Sequence, residues 1–236
     1  MKIDVFTLFP ESFDWFRSQR HVGNVASAGT SLECVNYRDH TPLSGGQVDD
    51  MPFGGGAGMV LRVDVVDSAL RAHYDLDSVQ LRNRRRVIAL TAGGRLLDDA
   101  LVDELAAEPA LTLLCGRYEG LDERIVEHLS SDAISIGRYV LSGGELAAMV
   151  LCDAVIRKLP GALGHEDSAA EESFSAALDG HPEYPHYTRP AEYRGWGVPD
   201  VLLSGHHERI QQWRRERSRE RGEAGFDRGR RSSGLG

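Results

Sequence analysis

"VIALTAGGRLLDDALVDELAAEPALTLLCGRYEG", Val87 to Gly120, is the stretch whose reading decides the fold. It opens on a short apolar run, Val87–Leu90, that reads as a buried strand ending at Thr91 and the Gly93-Gly94 turn. Asp98 and Asp99 then suit the start of a helix, where a carboxylate caps the first N–H groups and faces the positive end of the dipole. A second apolar run, Leu111–Cys115, reads as the next strand and closes on another glycine turn, Gly116–Gly120. Continuous apolar strands separated by a helix predict a parallel sheet covered on both faces.

The alternation extends in both directions. Ile3–Phe9 and the alternating Ser31–Tyr37 read as strands, and Val63–His73 carries apolar residues at helical spacing. Downstream, Asp122–Leu129 reads as a helix and Ala133–Ile136 as a strand. Gly144–Leu159 reads as a long helix, apolar on most of its surface and so buried in the body or in a subunit interface. The pattern stops at Pro160-Gly161. The following stretch, rich in Ala, Ser, Glu and Gly, reads as a linker. The expected organisation is a main α/β domain over 1–160, a linker over 161–180 and a small helical domain over 181–236.

Bulk properties agree. The 236 residues, 41% hydrophobic and 27% charged, suit a main domain with a real core and a smaller appendage. No apolar run approaches the roughly 18 residues of a membrane span. Asp4 interrupts the N-terminal run, which reads as a strand and not a signal peptide. Cys34, Cys115 and Cys152 are odd in number and far apart, so neither a disulfide framework nor a zinc site is expected; a cytoplasmic location is. The net charge of −9 argues against wholesale nucleic-acid binding, but nine arginines face five acids between His206 and Arg231. That basic tail suits either a local phosphate contact or a solvated helix with Glu/Arg pairs. "RNRRR", Arg82–Arg86, suits either phosphate contact or a soluble loop.

Three glycine turns sit at successive strand ends: Thr91–Gly94, Gly116–Gly120 and Gly137–Gly144. In an open parallel sheet, ligands bind beyond those ends. No GxGxxG follows a strand and no GxxxxGK[ST] occurs, so a phosphate cradle is poorly supported. Tyr139-Val140-Leu141, inside the third turn, suits a flat heteroaromatic ring such as adenine, read by backbone hydrogen bonds. A fourth glycine-rich segment, "VDDMPFGGGAGM" (Val48–Met59), reads as a flexible loop, with Asp49 and Asp50 placed either for a metal or for simple solvation.

Seven ordered segments together resemble one family. They are "LFPESF", "VDDMPFGGGAGM", "LLCGRYEGLDERI", "SIGRYVLSGGELAAM", "LPGALGHEDSAAEESF", "PHYTRP" and "VLLSGHHERIQQWR". The family is the TrmD-type tRNA (guanine-N1)-methyltransferases of the SPOUT class. The resemblance implies a deep trefoil knot, a rare exception to the rule on connections. It also implies bent S-adenosylmethionine (AdoMet) in the knotted loops and a homodimer with cofactor sites at its interface. The implied substrate is tRNA with guanosine at position 37, methylated at N1, with assistance from a magnesium ion.

Carried over residue by residue, the cofactor pocket is Leu90, Thr91 and Gly94, then Gly116, Arg117, Tyr118, Glu119 and Gly120. Ser135, Ile136, Gly137, Arg138, Tyr139, Val140, Leu141, Gly143 and Gly144 complete it. Guanine N1 carries a proton, so the chemistry needs a base and a cation or donor for the charge that spreads to O6. The resemblance assigns these roles to Glu172 and Arg157; by pattern alone Arg157 is a helix-C-terminal arginine favoured by the dipole. RNA contacts fall on Asp50, His186, Tyr187, Arg189, Arg209, Arg214 and Arg215.

Three positions depart from the family pattern. The usual "EDSF" is "EESF" here, so the base is Glu172, one methylene longer than aspartate, with Asp167 and Glu171 as nearby alternatives. A misplacement of about 1 Å costs roughly 100-fold in rate unless the loop compensates. Arg138 stands where relatives carry aspartate, beside a cationic cofactor, and Ala92 stands where proline is common. These departures keep two alternatives open: a SPOUT RNA methyltransferase with altered target or low activity, and a non-catalytic tRNA-binding homologue.

Overall fold

The computed structural model describes residues 1–163 and 172–224. By its internal contacts the chain divides into two compact units, Met1–Gly164 and His165–Gly236.

The first unit is built on five strands: β1 (Lys2–Thr7), β2 (Ser31–Asn36), β5 (Arg86–Leu96), β6 (Ala110–Cys115) and β7 (Asp132–Ser135). Their spatial order is β2-β1-β6-β5-β7, and all pair in parallel. Two short strands, β3 (Asp49–Asp50) and β4 (Val60–Leu61), form a separate antiparallel pair. The helices are α1 (Asp14–Arg17), α2 (Arg20–Ser27), α3 (Val63–Tyr74), α4 (Ser78–Leu81), α5 (Asp99–Ala106) and α6 (Glu145–Lys158). The expected parallel sheet flanked by helices is therefore present.

Period-two alternation sends strand residues to two cores. Ile3, Val5, Ile88, Leu111 and Leu113 pack with Leu101 and Leu105 of α5 and Leu151 and Val155 of α6. Phe6, Val87 and Leu114 face the other way, toward Val66 and Leu70 of α3. Burying each such side chain contributes about 1.5–3 kcal/mol, which makes these layers a rigid base for the loops at their ends. Asp98 caps α5 as expected, its carboxylate accepting from the Leu101 N–H at 2.9 Å.

The structure corrects three local readings. First, β5 does not stop at Leu90. Leu90 and Arg95 both pair with Ile134, so residues 91–94 leave the ladder and rejoin it. Gly94 permits this: a Cβ there would lie 2.5 Å from Ile134 N on the neighbouring backbone. Second, the helix expected over Asp122–Leu129 is present over 123–129, but its last five residues, Ile125–Leu129, are π-helical, closed by the Ser130 N–H donating to Ile125 O at 2.9 Å. Third, two of the arginines of "RNRRR" are structural, whereas Arg84 remains exposed. Arg85 pairs with the buried Asp4, and Arg86 with Glu104 and Asp132. Asp4, which looked like an interruption of an apolar strand, also accepts from Tyr74 Oη at 2.7 Å on the same carboxylate oxygen, Oδ2, that meets Arg85.

In the second unit the described elements are a 3₁₀ turn (Ala176–Leu178), a hairpin of β8 (Glu192–Tyr193) and β9 (Trp196–Gly197), and helices α7 (Asp200–Leu203) and α8 (His207–Glu223). The hairpin is an addition to the helical appendage read from sequence. Ser218 and Arg221 fasten α8 to the backbone carbonyls of Pro182 and Glu183. No helix among the described residues is long and apolar enough to cross a membrane.

Candidate active site

The bulge of β5 at 91–94 and the carboxyl ends of β6 and β7 converge on one cavity of about 350 Å³. The 91–94 excursion supplies one wall through Thr91 and Ala92, next to Leu90. The turn after β6 supplies the second: Gly116, Arg117, Tyr118, Glu119 and Gly120. The segment after β7 supplies the third: Ser135, Ile136, Gly137, Tyr139, Val140, Leu141, Gly143 and Gly144. Two expected pocket residues lie outside this lining. Gly94 packs instead against the β7 backbone. Arg138 is exposed and makes no ion pair with the described residues. Leu121, Ile134 and Ala147 line the cavity without having been singled out. Leu121 directly follows the second glycine turn, Ile134 precedes the third, and Ala147 lies in the first turn of α6; adjacency was the one signal for them.

The walls are fastened to one another. The Gly144 N–H donates to Gly116 O at 2.8 Å, and an antiparallel bridge joins Arg117 to Gly143. A Cβ on Gly144 would lie 2.7 Å from Cys115 Cα, so this position tolerates hydrogen alone. Behind the second wall stands the "VDDMPFGGGAGM" segment. Glu119 N–H donates to Met59 O at 2.9 Å, and Leu61 N–H to Gly120 O at 3.0 Å. At the foot of that loop Asp50 pairs with Arg62 at 3.1 Å, so its carboxylate faces a guanidinium.

The lining divides into backbone and apolar surface. Tyr139 folds its ring back over Gly137 and donates from Oη to Ile136 O at 3.2 Å. Tyr139 is 55% exposed and Val140 is 89% exposed, an apolar surface presented to whatever enters. Cys115, buried just before the second wall and outside the lining, is no nucleophile: burial, then the charge of Glu145, pushes its thiol well above the ordinary range.

The model for the family described as tRNA (Guanine-1)-methyltransferase TrmD matches residues 1–227. The chain belongs to that family. Among curated relatives, it is 49% identical to the tRNA (guanine-N(1)-)-methyltransferase of Brevibacillus brevis over 225 residues, 95% of this chain and 89% of that one. It is 51% identical to the protein of the same name from Rhodospirillum rubrum over 217 residues, 92% of this chain and 87% of that one.

The residues that the TrmD resemblance assigns to chemistry fall in both units. Arg157 lies in the last turn of α6 and is exposed. Glu172 belongs to the second unit, half-buried, with its carbonyl accepting from the Ser175 N–H at 3.1 Å. The alternatives Asp167 and Glu171 lie outside the described residues.

The expected RNA contacts differ in what holds them. His186 lies 3.4 Å from Glu183, and Tyr187 is half exposed beside Trp213. Arg189, Arg209 and Arg215 are exposed. Arg214 is half-buried, its guanidinium 4.7 Å from the centre of the Tyr184 ring, and so packs its own unit together. Arg217–Glu220 at 2.6 Å is one of the Glu/Arg pairs anticipated for a solvated helix. Among the described residues one triad has metal-ligand spacing, Asp4, Glu33 and His73. None of the three lines the cavity, and Asp4 is already held by Arg85 and Tyr74.

Proposed function

We propose that this TrmD-family chain transfers a methyl group from AdoMet to N1 of guanosine 37 of tRNA. The observation that carries this reading is the convergence of the 91–94 excursion of β5 and the glycine-rich turns after β6 and β7 on one cavity lined by backbone and apolar side chains. That lining fits an adenosine. Leu90, Ile136, Tyr139, Val140 and Leu141 offer ring-sized apolar surface, and the glycine positions leave backbone groups within reach of a purine edge. When bound, AdoMet supplies an electrophilic methyl group on a sulfonium.

The remaining work belongs to the chain. Glu172 takes the N1 proton of guanine, which leaves a nitrogen lone pair for the new N–CH3 bond. Arg157 offsets the negative charge that spreads to O6. Arg189, Arg209 and Arg215, exposed on the second unit, contact phosphates, and His186 and Tyr187 meet bases. The target guanosine leaves its stack to be read. Asp50, paired with Arg62, orders the loop that backs the second wall. No magnesium ligand set forms at the cavity among the described residues, and no step here depends on the ion.

The reading extends to the assembly and the chain path. Leu146 and Val150, one turn apart on α6, are 60% and 47% exposed, an unusual state for apolar residues of a central helix. They support a homodimer in which this face is covered. On this reading the 91–94 excursion of β5 and the segment after β7 are parts of the trefoil knot that the SPOUT resemblance implies.

The test uses purified protein, labelled AdoMet and tRNA carrying guanosine or adenosine at position 37. The reading predicts label at N1 of guanosine and none on the adenosine form. Binding of tRNA without transfer to either form would leave a non-catalytic homologue instead.

A further inference from the structure

We propose that Glu145 and Thr7 are positioning residues for the cofactor pocket: they hold Arg117 so that the second and third walls close on each other. The proposal rests on the reading of that cavity as the AdoMet site.

Glu145 opens α6 and is 4% exposed, yet it is a carboxylate with no place in the chemistry above. Both its oxygens are engaged. Oε1 accepts from Thr7 Oγ1 at 2.8 Å, across 138 residues of sequence. Oε2 lies 3.1 Å from Arg117 Nε, an ion pair without the alignment of a hydrogen bond. The Arg117 guanidinium stacks over the Phe9 ring at 4.3 Å, and its Nη1 donates to Ser142 O at 3.3 Å. One side chain thus joins the turn after β6 to the loop before α6, while the end of β1 fixes the carboxylate that holds it. Gly143 leaves the passage open: a Cβ there would lie 2.5 Å from both Arg117 Nε and Glu145 Oε2.

A carboxylate buried this deeply is costly unless its partners are in place. Fixing Glu145 through Thr7 therefore fixes where the guanidinium sits, and with it the spacing of Gly116–Gly120 from Gly143–Gly144. Neither Thr7 nor Glu145 lines the cavity, so an effect on cofactor affinity must pass through Arg117.

AdoMet affinity is measured by calorimetry on the full chain, wild type against Thr7→Val, Thr7→Ser and Glu145→Gln, with a thermal melt of each. Thr7→Val keeps the shape and branching of a buried strand residue but removes the donor. It is expected to weaken AdoMet about fivefold, the scale of one hydrogen bond. Glu145→Gln, which removes the charge facing Arg117, is expected to weaken it about tenfold or more. Thr7→Ser restores wild-type affinity. In the double variant the two losses do not add, because both act through one side chain. Melting points that fall while affinities stay at the wild-type value overturn the proposal, as do independent, additive losses. A wild type that does not bind AdoMet at all overturns the reading of the cavity instead.

Discussion

The tripeptide Gly-Arg-Tyr occurs twice in the first unit, and the two copies do opposite things. At Gly116-Arg117-Tyr118 the arginine turns inward, between the Phe9 ring and the Glu145 carboxylate. At Gly137-Arg138-Tyr139 it points out of the cavity lining and is exposed, while Tyr139 folds back over the glycine. Both copies follow a strand of the same sheet and both glycines and tyrosines line the same cavity. The difference lies in what the fold places opposite each arginine. The first meets a buried carboxylate brought from α6, and the second meets no carboxylate among the described residues. A local motif fixes the shape of a turn; distant residues decide whether its charge is structural or available.

The largest expected effect separates this binding architecture from the chemistry. Glu172→Gln is expected to lower kcat by roughly 100- to 10,000-fold, the range for loss of a general base, with AdoMet affinity unchanged. Single-turnover methyl transfer checks it. Full activity in that variant would remove Glu172 as the base and make Asp167 and Glu171 the candidates.

Next comes the direct contrast between the two arginines. Arg117→Ala leaves a buried carboxylate without its cation and is expected to cost about 3 kcal/mol of stability. Arg138→Ala, at an exposed position, is expected to stay within about 0.5 kcal/mol. Urea unfolding of both variants checks the pair, and equal losses would erase the contrast.

A smaller effect concerns acid. Just past the first copy, Asp122 pairs with Arg124 at 2.7 Å, and that hydrogen bond holds its carboxyl below the usual value. A carboxyl depressed in the folded state adds stability above its unfolded pKa, near 3.9, and loses it as pH falls through the lower folded value. For so accessible a pair the contribution is at most about 1 kcal/mol. Asp122→Asn should therefore melt lower than wild type at pH 7, with the gap closing below about pH 3. A gap that persists in acid would assign the loss to packing.

The sheet was legible in the sequence because its strands are apolar runs of the right length and the Asp98 cap is local. The cavity was legible through the glycine turns after β6 and β7 and through Thr91, together with a family resemblance spanning most of the chain. What stayed hidden depends on contacts distant in sequence. Thr7 and Glu145 are 138 residues apart, and nothing near either announces the other. Arg85 and Arg86 read as a basic surface run because Asp4 and Asp132, which hold them, lie on other strands. The continuation of β5 past Gly94 was hidden for the same reason, since it rests on a close approach to the β7 backbone.

The central claim, that the two Gly-Arg-Tyr turns are walls of one AdoMet pocket locked from the side of Arg117, is tested most directly by AdoMet calorimetry on Arg117→Ala and Arg138→Ala. The account predicts at least a tenfold loss of affinity, about 1.4 kcal/mol, in the first and less than a threefold change in the second. Wild-type affinity in Arg117→Ala, or an equal loss in both, would contradict it.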